Sequence, residues 1–198
     1  MARRHDPERR DRIIDACLDV IAEHGVAGAS HRRVAAAADV PLGSMTYHFE
    51  GIDELLYLAF ERFSIQEAAH FERRMHAATT FEEAIEAMLR ITTEDVFDSQ
   101  RDLILTHELY ALAARRPEFR ELCHRWMGRS RAALERQFDA RTARILDALN
   151  EGLTTQRALD TQPWGTAVVV DAIQRVTRSR QPPSPRPDDG SPSPAQSR

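Results

Sequence analysis

The chain has 198 residues, of which 42% are hydrophobic, and its formal net charge at pH 7 is −4. This length can bury a core without disulfides, and no apolar run approaches the roughly 18 residues that a membrane helix needs. The acidic balance excludes a protein that coats nucleic acid nonspecifically, so any DNA contact must come from a local basic patch. We expect a cytoplasmic protein with no membrane span, because the basic N-terminus lacks the apolar segment of a secretory signal.

The residue types that often carry covalent or metal chemistry are sparse. Cys17 and Cys123 lie far apart and form no CxxC pair, which predicts two buried thiols, without a disulfide framework or a Cys-rich zinc site. All 27 basic residues are Arg. Since Arg codons are GC-rich, this usage is typical of a GC-rich bacterial genome.

Proline and glycine divide the chain into predicted helices. Four prolines each precede an apolar-periodic run, where a missing N–H costs a helix nothing: Pro7, Pro41, Pro117 and Pro163. Between Pro7 and His24, apolar residues recur at the i, i+3, i+4, i+7 spacing of one helical face. Gly25 supplies the stop signal for this first helix.

Two short helices joined by a tight turn follow. Ser30 is a suitable N-cap for the first of them, and the second is predicted from Leu42 to Phe49, with Gly51 breaking it. A short helix pair braced by a preceding amphipathic helix is typical of a tri-helical helix-turn-helix domain. We place this DNA-binding domain at residues 1–52.

The second short helix of the pair has two distinct faces. Met45 and Phe49, one turn apart, are predicted to face inward and hold the helix in place. Six residues are left on the outer face or its edges: Leu42, Gly43, Ser44, Thr46, Tyr47 and His48. A face of this kind can enter the major groove of DNA.

The rest of the chain is predicted to be helical as well. Amphipathic stretches cover approximately residues 53–77, 80–96, 100–115, 117–137, 139–158 and 163–178. Thr166 to Val170 is β-branched enough to be ambiguous, but no partner strand is visible. We therefore predict an all-α fold with about nine helices, in which residues 53–179 form a helical bundle. Six of the ten prolines fall in the serine-rich stretch 180–198, which we predict to be a disordered tail.

The stretch from Ser30 to Leu56, SHRRVAAAADVPLGSMTYHFEGIDELL, resembles the TetR family of transcription regulators. In that family the recognition helix carries Gly, a small hydroxyl residue, an aliphatic residue, then aromatics, His and Phe, before an acidic-Leu helix start. The matching residues are Gly43, Ser44, Met45, Tyr47, His48, Phe49, Asp53, Glu54 and Leu55. The resemblance implies a homodimeric, ligand-responsive regulator of double-stranded operator DNA, by family default a repressor. A small-molecule effector would release it from a palindromic operator through a population shift.

The resemblance also implies roles for individual residues. Arg32, and more weakly Arg33, become candidates for base or phosphate contacts from the first motif helix. Three residues fall where this family reads base edges: Leu42, Gly43 and Thr46. Three others fall where it contacts phosphates: Ser44, Tyr47 and His48.

The chain departs from the family pattern at three points. Asp39 stands where Gly is common in the turn, so it must tolerate a left-handed conformation at some cost. Thr46 replaces an aromatic residue that is usual in the recognition helix. A Lys that often opens the next helix and grips a phosphate is missing from the segment Gly51 to Ile52. The first 53 residues hold 7 Arg against 9 acids, which predicts a modest affinity for phosphates.

The helical bundle should carry the dimer interface and a ligand cavity. Because the last two helices form the dimer interface in this family, the resemblance implies the following contacts: Ile145, Leu149, Gly152, Leu153, Val169 and Ile173. The alternative is that both helix faces pack inside one subunit. A ligand cavity would be lined by aromatic residues with a few polar groups, and the candidates are Phe63, His107, Tyr110 and Trp126. Each of these residue types, taken singly, is more often part of a plain hydrophobic core.

The sequence contains no complete catalytic motif of the kinds considered below. His107 and Glu108 begin an HExxH sequence, but Ala111 stands where the second His must be, so a zinc protease is excluded. No GxGxxG, P-loop or GxSxG motif is present. We expect no enzymatic activity, no metal and no cofactor. Two alternatives stay open: a helical ligand-binding or protein-interaction module that no longer binds DNA, and an all-α enzyme that uses His107 and a carboxylate.

Overall fold

The computed structural model describes residues 8–95, 100–162 and 165–178. Within these ranges the chain is all-helical, which confirms the predicted fold class and its count of about nine helices. The elements are α1 (Arg9–Gly28), α2 (His31–Ala37), α3 (Gly43–His48), α4 (Ile52–Ala77), α5 (Phe81–Arg90), a π-helical segment (Ile91–Asp95), α6 (Gln100–Ala113), α7 (Pro117–Leu134), α8 (Ala140–Leu159) and α9 (Ala167–Thr177). Pro7, Pro163 and the tail 180–198 lie outside the described residues.

Several helix ends follow the local sequence signals. The Ser30 side chain accepts a hydrogen bond of 3.3 Å from the backbone N–H of Arg33, as expected of an N-cap. Pro117 is the first residue of α7. Gly25, however, interrupts α1 with φ 67° and ψ 170°, and one more helical turn follows it to Gly28. It therefore forms a kink three residues before the helix ends.

The buried apolar residues form two clusters. The first joins α1, α2 and α3 to α4, α6 and α7, and includes Phe60, Phe63 and Phe119, each at most 1% exposed. The second joins the ends of α4 and α7 to α5, α8 and α9. The predicted domain boundary at residues 52 and 53 falls within the first cluster, because α4 packs along α1 as well as on α7. Because α1 packs on both α4 and α6, a movement of either helix would displace α1 as well.

Ion pairs on the surface reinforce the contacts of α1. The Arg62 guanidinium on α4 bonds to Asp11 and, at 2.9 Å, to Asp15. Arg101 on α6 bonds to Asp19 at 2.9 Å. All three acids project from the same side of α1 at helical spacing. The helix that braces the helix-turn-helix is thus fastened to two helices of the bundle.

Both cysteines are buried and unpaired, as predicted. Burial raises the pKa of the Cys17 thiol to about 12 and that of Cys123 to about 11. Both thiols therefore stay protonated at neutral pH and act as small apolar groups. None of the helices in the described ranges is long and apolar enough to cross a membrane.

Candidate DNA-binding surface and ligand cavity

The turn between α2 and α3 is closed by backbone hydrogen bonds. The N–H of Val40 donates to the carbonyl of Ala35 at 2.9 Å, and that of Ser44 to Pro41 at 2.8 Å. Asp39 has φ 51°, and among the described residues it alone takes a positive φ without being glycine. The turn thus imposes the left-handed conformation that the sequence pattern required at this position.

The recognition helix α3 is held from behind and open in front. Met45 is fully buried and Phe49 is 4% exposed, and both belong to the first apolar cluster. On the opposite side Tyr47 is 81% exposed and Leu42 is 54% exposed. Large side chains left in water on a rigid helix are the geometry that insertion into a groove needs.

Three residues of α3 sit differently with respect to this outer face. Thr46 is exposed, and its hydroxyl lies 3.4 Å from the Gly43 carbonyl. His48 is half-buried, with its ring edge-on to Tyr47 at a centroid distance of 4.8 Å. Ser44 was expected on the outer face or its edge, and this is wrong, since the residue is 5% exposed. The helix turns by about 100° per residue, so Ser44 lies beside Met45 and one turn before His48 on the inward arc.

Arginines lie on both α1 and α2 of the helix-turn-helix domain. Arg32 and Arg33 are both exposed on α2. The Arg33 guanidinium bonds to the carbonyl of Gly28, which ties it to the end of α1. Arg10 was not singled out from the sequence, yet its guanidinium stacks 5.4 Å from the centroid of the Phe49 ring. No local signal could have found it, because the contact spans 39 positions of the chain.

A cavity of about 100 Å³ lies among α4, α6, α7 and α8. Tyr110 and Trp126 line it, as the sequence predicted. Phe63 does not; it is 1% exposed in the first apolar cluster and meets Trp126 edge-on at 5.8 Å. His107 does not line the cavity either, because α6 faces the cavity with the side that carries Thr106 and Tyr110. The Nδ1 of His107 instead lies 2.8 Å from the Leu103 carbonyl.

The cavity has an acidic lining that was not predicted from the sequence. Three carboxylates, Glu67, Asp147 and Glu151, share it with aromatic side chains. Four of the lining residues occupy positions i, i+3, i+4 and i+7 of α8: Asp147, Asn150, Glu151 and Thr154. This polar stripe could have predicted the lining from the sequence, since a polar face on a helix that packs between other helices indicates a water-filled interior surface.

Burial changes the acid–base properties of the cavity groups. It raises the pKa of Asp147 to about 6, although the Arg131 guanidinium, 3.2 Å from its carboxylate, opposes the shift. Burial also raises the pKa of Tyr110 well above its ordinary value, assisted by the nearby negative charge of Glu151. The phenol is therefore neutral at every physiological pH, and Asp147 titrates near neutrality.

The expected dimer contacts divide into two groups. Val169 and Ile173 are at most 1% exposed and pack in the second apolar cluster, so the structure contradicts their assignment to a subunit interface. The last helix finds its apolar partners within one subunit. Leu149 and Leu153 are half-buried against that same cluster.

The remaining two predicted contacts lie on the open face of α8. Ile145 is 42% exposed, and Gly152 is exposed, with nothing within 4 Å of a Cβ built on it. Val168, 52% exposed at the start of α9, was not predicted. These three residues leave apolar surface unpartnered in the isolated subunit.

An exposed helix-turn-helix joined to a helical body with an internal cavity defines the class of one-component, ligand-responsive transcription regulators. Residues 13–57 match the family described as "Bacterial regulatory proteins, tetR family". Residues 76–179 match "Tetracyclin repressor-like, C-terminal domain". The chain therefore belongs to the TetR family and is a transcriptional regulator with a ligand-binding C-terminal domain.

Solved structures and a curated relative agree with this assignment. A regulator from Streptomyces coelicolor A3(2), SCO7518, is 56% identical with a TM-score of 0.81, over 86% of this chain and 99% of that one. The multidrug binding protein EbrR complexed with ethidium is 36% identical with a TM-score of 0.72, over 87% of this chain and 99% of that one. The HTH-type transcriptional regulator CymR of Pseudomonas putida is 30% identical over 128 residues. That match spans 65% of this chain and 62% of the length of CymR.

Proposed function

We propose that this chain is a repressor that binds a palindromic operator as a homodimer and leaves it when an organic cation occupies the cavity. The observation that carries the DNA-binding part is the geometry of α3, which exposes 81% of Tyr47 while Met45 is fully buried behind it. In this proposal residues 1–52 read DNA and residues 53–179 sense the effector and dimerise.

The operator contacts follow from exposure and chemistry. Leu42 would meet a thymine methyl, Thr46 would hydrogen-bond a base edge, and Gly43 would let the helix approach closely. Phosphates would be contacted by Tyr47, His48 and Arg32, with Arg33 as a weaker candidate and Arg10 added from the structure. Ser44 is left out because its side chain is buried.

The dimer would form through the open face of α8 and the start of α9. Ile145, Gly152 and Val168 leave an apolar strip that the subunit itself does not cover. An interface between two copies would bury this strip, and Gly152 would allow the helices to approach closely. Two recognition helices about 34–36 Å apart would then face successive major grooves on one side of the DNA.

The chemistry of the cavity supports a cationic effector. Aromatic faces at Phe71, Tyr110 and Trp126 attract cations through their ring quadrupoles, and the carboxylates of Glu67 and Glu151 attract them by charge. EbrR has been solved in complex with ethidium, proflavin and malachite green, which are aromatic cations. The cavity of this chain offers the same combination of flat apolar walls and negative charge that such ligands need.

A route from the cavity to the DNA-binding helices runs through Glu108. This residue lies on α6 between Thr106 and Tyr110, which both line the cavity. Its Oε2 accepts a hydrogen bond of 3.1 Å from the backbone N–H of Val26, directly after the kink at Gly25. A ligand that shifts α6 would therefore pull on the last turn of α1, which leads into α2.

Replacing Glu108 with Ala should uncouple the two sites. We expect the affinity for a cation such as ethidium to stay within about twofold, while the ligand-induced loss of operator affinity shrinks towards nothing. Titration of the protein with ethidium in the absence of DNA measures the first quantity, and fluorescence anisotropy of labelled operator with and without ethidium measures the second. Glu121→Ala, at an exposed position on α7, is the matched control and should respond as the wild type does. Full ligand-induced release in the Glu108→Ala variant would contradict the coupling role.

Selection of bound sequences from a random DNA pool tests the proposed function. We expect enrichment of an inverted repeat whose binding weakens steeply with salt and falls on substitution of Arg32. Adding ethidium should release the protein from that sequence. If no sequence is enriched while ethidium still binds, the chain is a ligand-binding module without DNA-binding function, and the proposal fails.

A further inference from the structure

The hydroxyl of Thr92 has two neighbours that its single proton cannot both serve. Thr92 is 2% exposed in the π-helical segment. Its Oγ1 lies 2.8 Å from the Met88 carbonyl oxygen and 2.8 Å from Oδ1 of Asn150. A hydroxyl offers one donor and two lone pairs, and a carbonyl oxygen can only accept. When the proton goes to Met88, the contact with Asn150 needs a donor from the amide.

We propose that Asn150 turns its NH₂ group towards Thr92 and its carbonyl oxygen into the cavity, and that the cavity therefore selects cations bearing N–H groups over fully alkylated ones. The two ends of an amide have nearly the same shape, so this orientation changes no packing. The inference rests on the proposed role of the cavity as a cation site. It narrows the effector class to cations that carry N–H groups, whether on the charged nitrogen or on an attached amino group.

The hydroxyl groups of the lining also favour a ligand that carries N–H groups. The Thr154 hydroxyl donates to the Asn150 backbone carbonyl at 2.7 Å, and that of Ser130 to the Trp126 carbonyl at 3.4 Å. Because these protons are taken within the protein, the groups present lone pairs to a ligand. Together with the carbonyl oxygen of Asn150 they add hydrogen-bond acceptors to the lining of the cavity.

A ligand must supply donors to satisfy these acceptors. A protonated amine brings up to three N–H groups, each able to form a charge-assisted hydrogen bond. A quaternary ammonium has the same charge but no N–H, so it leaves buried acceptors without partners. For two cations of equal charge and matched aromatic body, the difference of one or two such hydrogen bonds corresponds to at least about tenfold in affinity.

Calorimetric titration of the full chain with 2-naphthylmethylammonium and with its N,N,N-trimethyl derivative tests the inference. We expect the primary ammonium to bind at least about tenfold more tightly. Asn150→Leu should weaken the ammonium by about tenfold and change the trimethyl compound by less than twofold. Asn150→Asp keeps an oxygen towards the cavity and should retain the preference. Thr92→Val removes the hydroxyl that orients the Asn150 amide and should reduce the preference for the primary ammonium.

The outcomes separate this inference from the proposed function. Equal affinity of the two cations for the wild type, or an equal loss of both in Asn150→Leu, overturns the N–H preference and leaves the cation site in place. If neither cation binds while the operator is still bound, both the preference and the cationic effector are wrong. Asn150→Asp and Thr92→Val decide the matter if Asn150→Leu does not fold, which thermal unfolding of each variant reveals.

Discussion

Replacing Met45 with Ala should abolish operator binding and lower the free energy of unfolding by about 2–5 kcal/mol. Met45 is fully buried in the first apolar cluster, where it joins the recognition helix to the rest of the protein. The helix has only six residues and cannot persist without that contact. Losing the side chain therefore leaves a cavity and also frees the DNA-reading surface from its support.

Tyr47→Ala on the same helix is the matched control. Tyr47 is 81% exposed, so we expect the free energy of unfolding to change by no more than about 0.5 kcal/mol. Operator affinity should nevertheless fall at least about tenfold, because a phosphate contact is lost at the protein–DNA interface. Urea unfolding and anisotropy titrations measure the two quantities. Wild-type operator binding in Met45→Ala would show that α3 is not held by this residue, and wild-type binding in Tyr47→Ala would remove α3 from the interface.

The helix-turn-helix was predictable because its signals are local. Each signal depends only on residues close to it in the sequence, as shown by the cap at Ser30, the turn at Asp39 and the spacing of Met45 and Phe49. Ser44 was misplaced because a six-residue helix spans fewer than two turns, so no apolar residue one turn further along the chain marks its side of the helix as buried. Arg10 was missed for the opposite reason, since its contact with Phe49 exists only after α1 has packed across the motif.

The sequence shows which residues of the bundle need apolar partners, but it does not show which helices supply those partners. Val169 and Ile173 do need apolar partners, and periodicity shows that much. Those partners are supplied by α5 and α8 of the same subunit. Sequence spacing alone cannot distinguish a neighbouring helix of the same chain from one of a second copy. The same limit applies to the cavity, which exists only where four helices cross.

Cation binding should weaken by about tenfold between pH 7.5 and pH 5. Burial raises the pKa of Asp147 to about 6, so this carboxylate is mostly ionised at the higher pH and mostly protonated at the lower one. A cation favours the ionised form, and by linkage its affinity falls as the pH drops through the pKa of that group. One unit below a pKa leaves about a tenth of the group charged, which gives the size of the effect. Calorimetric titration with ethidium at both pH values measures it.

Asp147→Asn locates the effect. The variant removes a negative charge and leaves the Arg131 charge, 3.2 Å away, without compensation, so we expect at least about tenfold weaker cation binding at pH 7.5. The pH dependence should also flatten, because the titrating group is gone. A steep pH dependence that survives in Asp147→Asn would assign it to a group other than Asp147. Such a result would leave Asp147 as a structural partner of Arg131 with no direct part in recognising the cation.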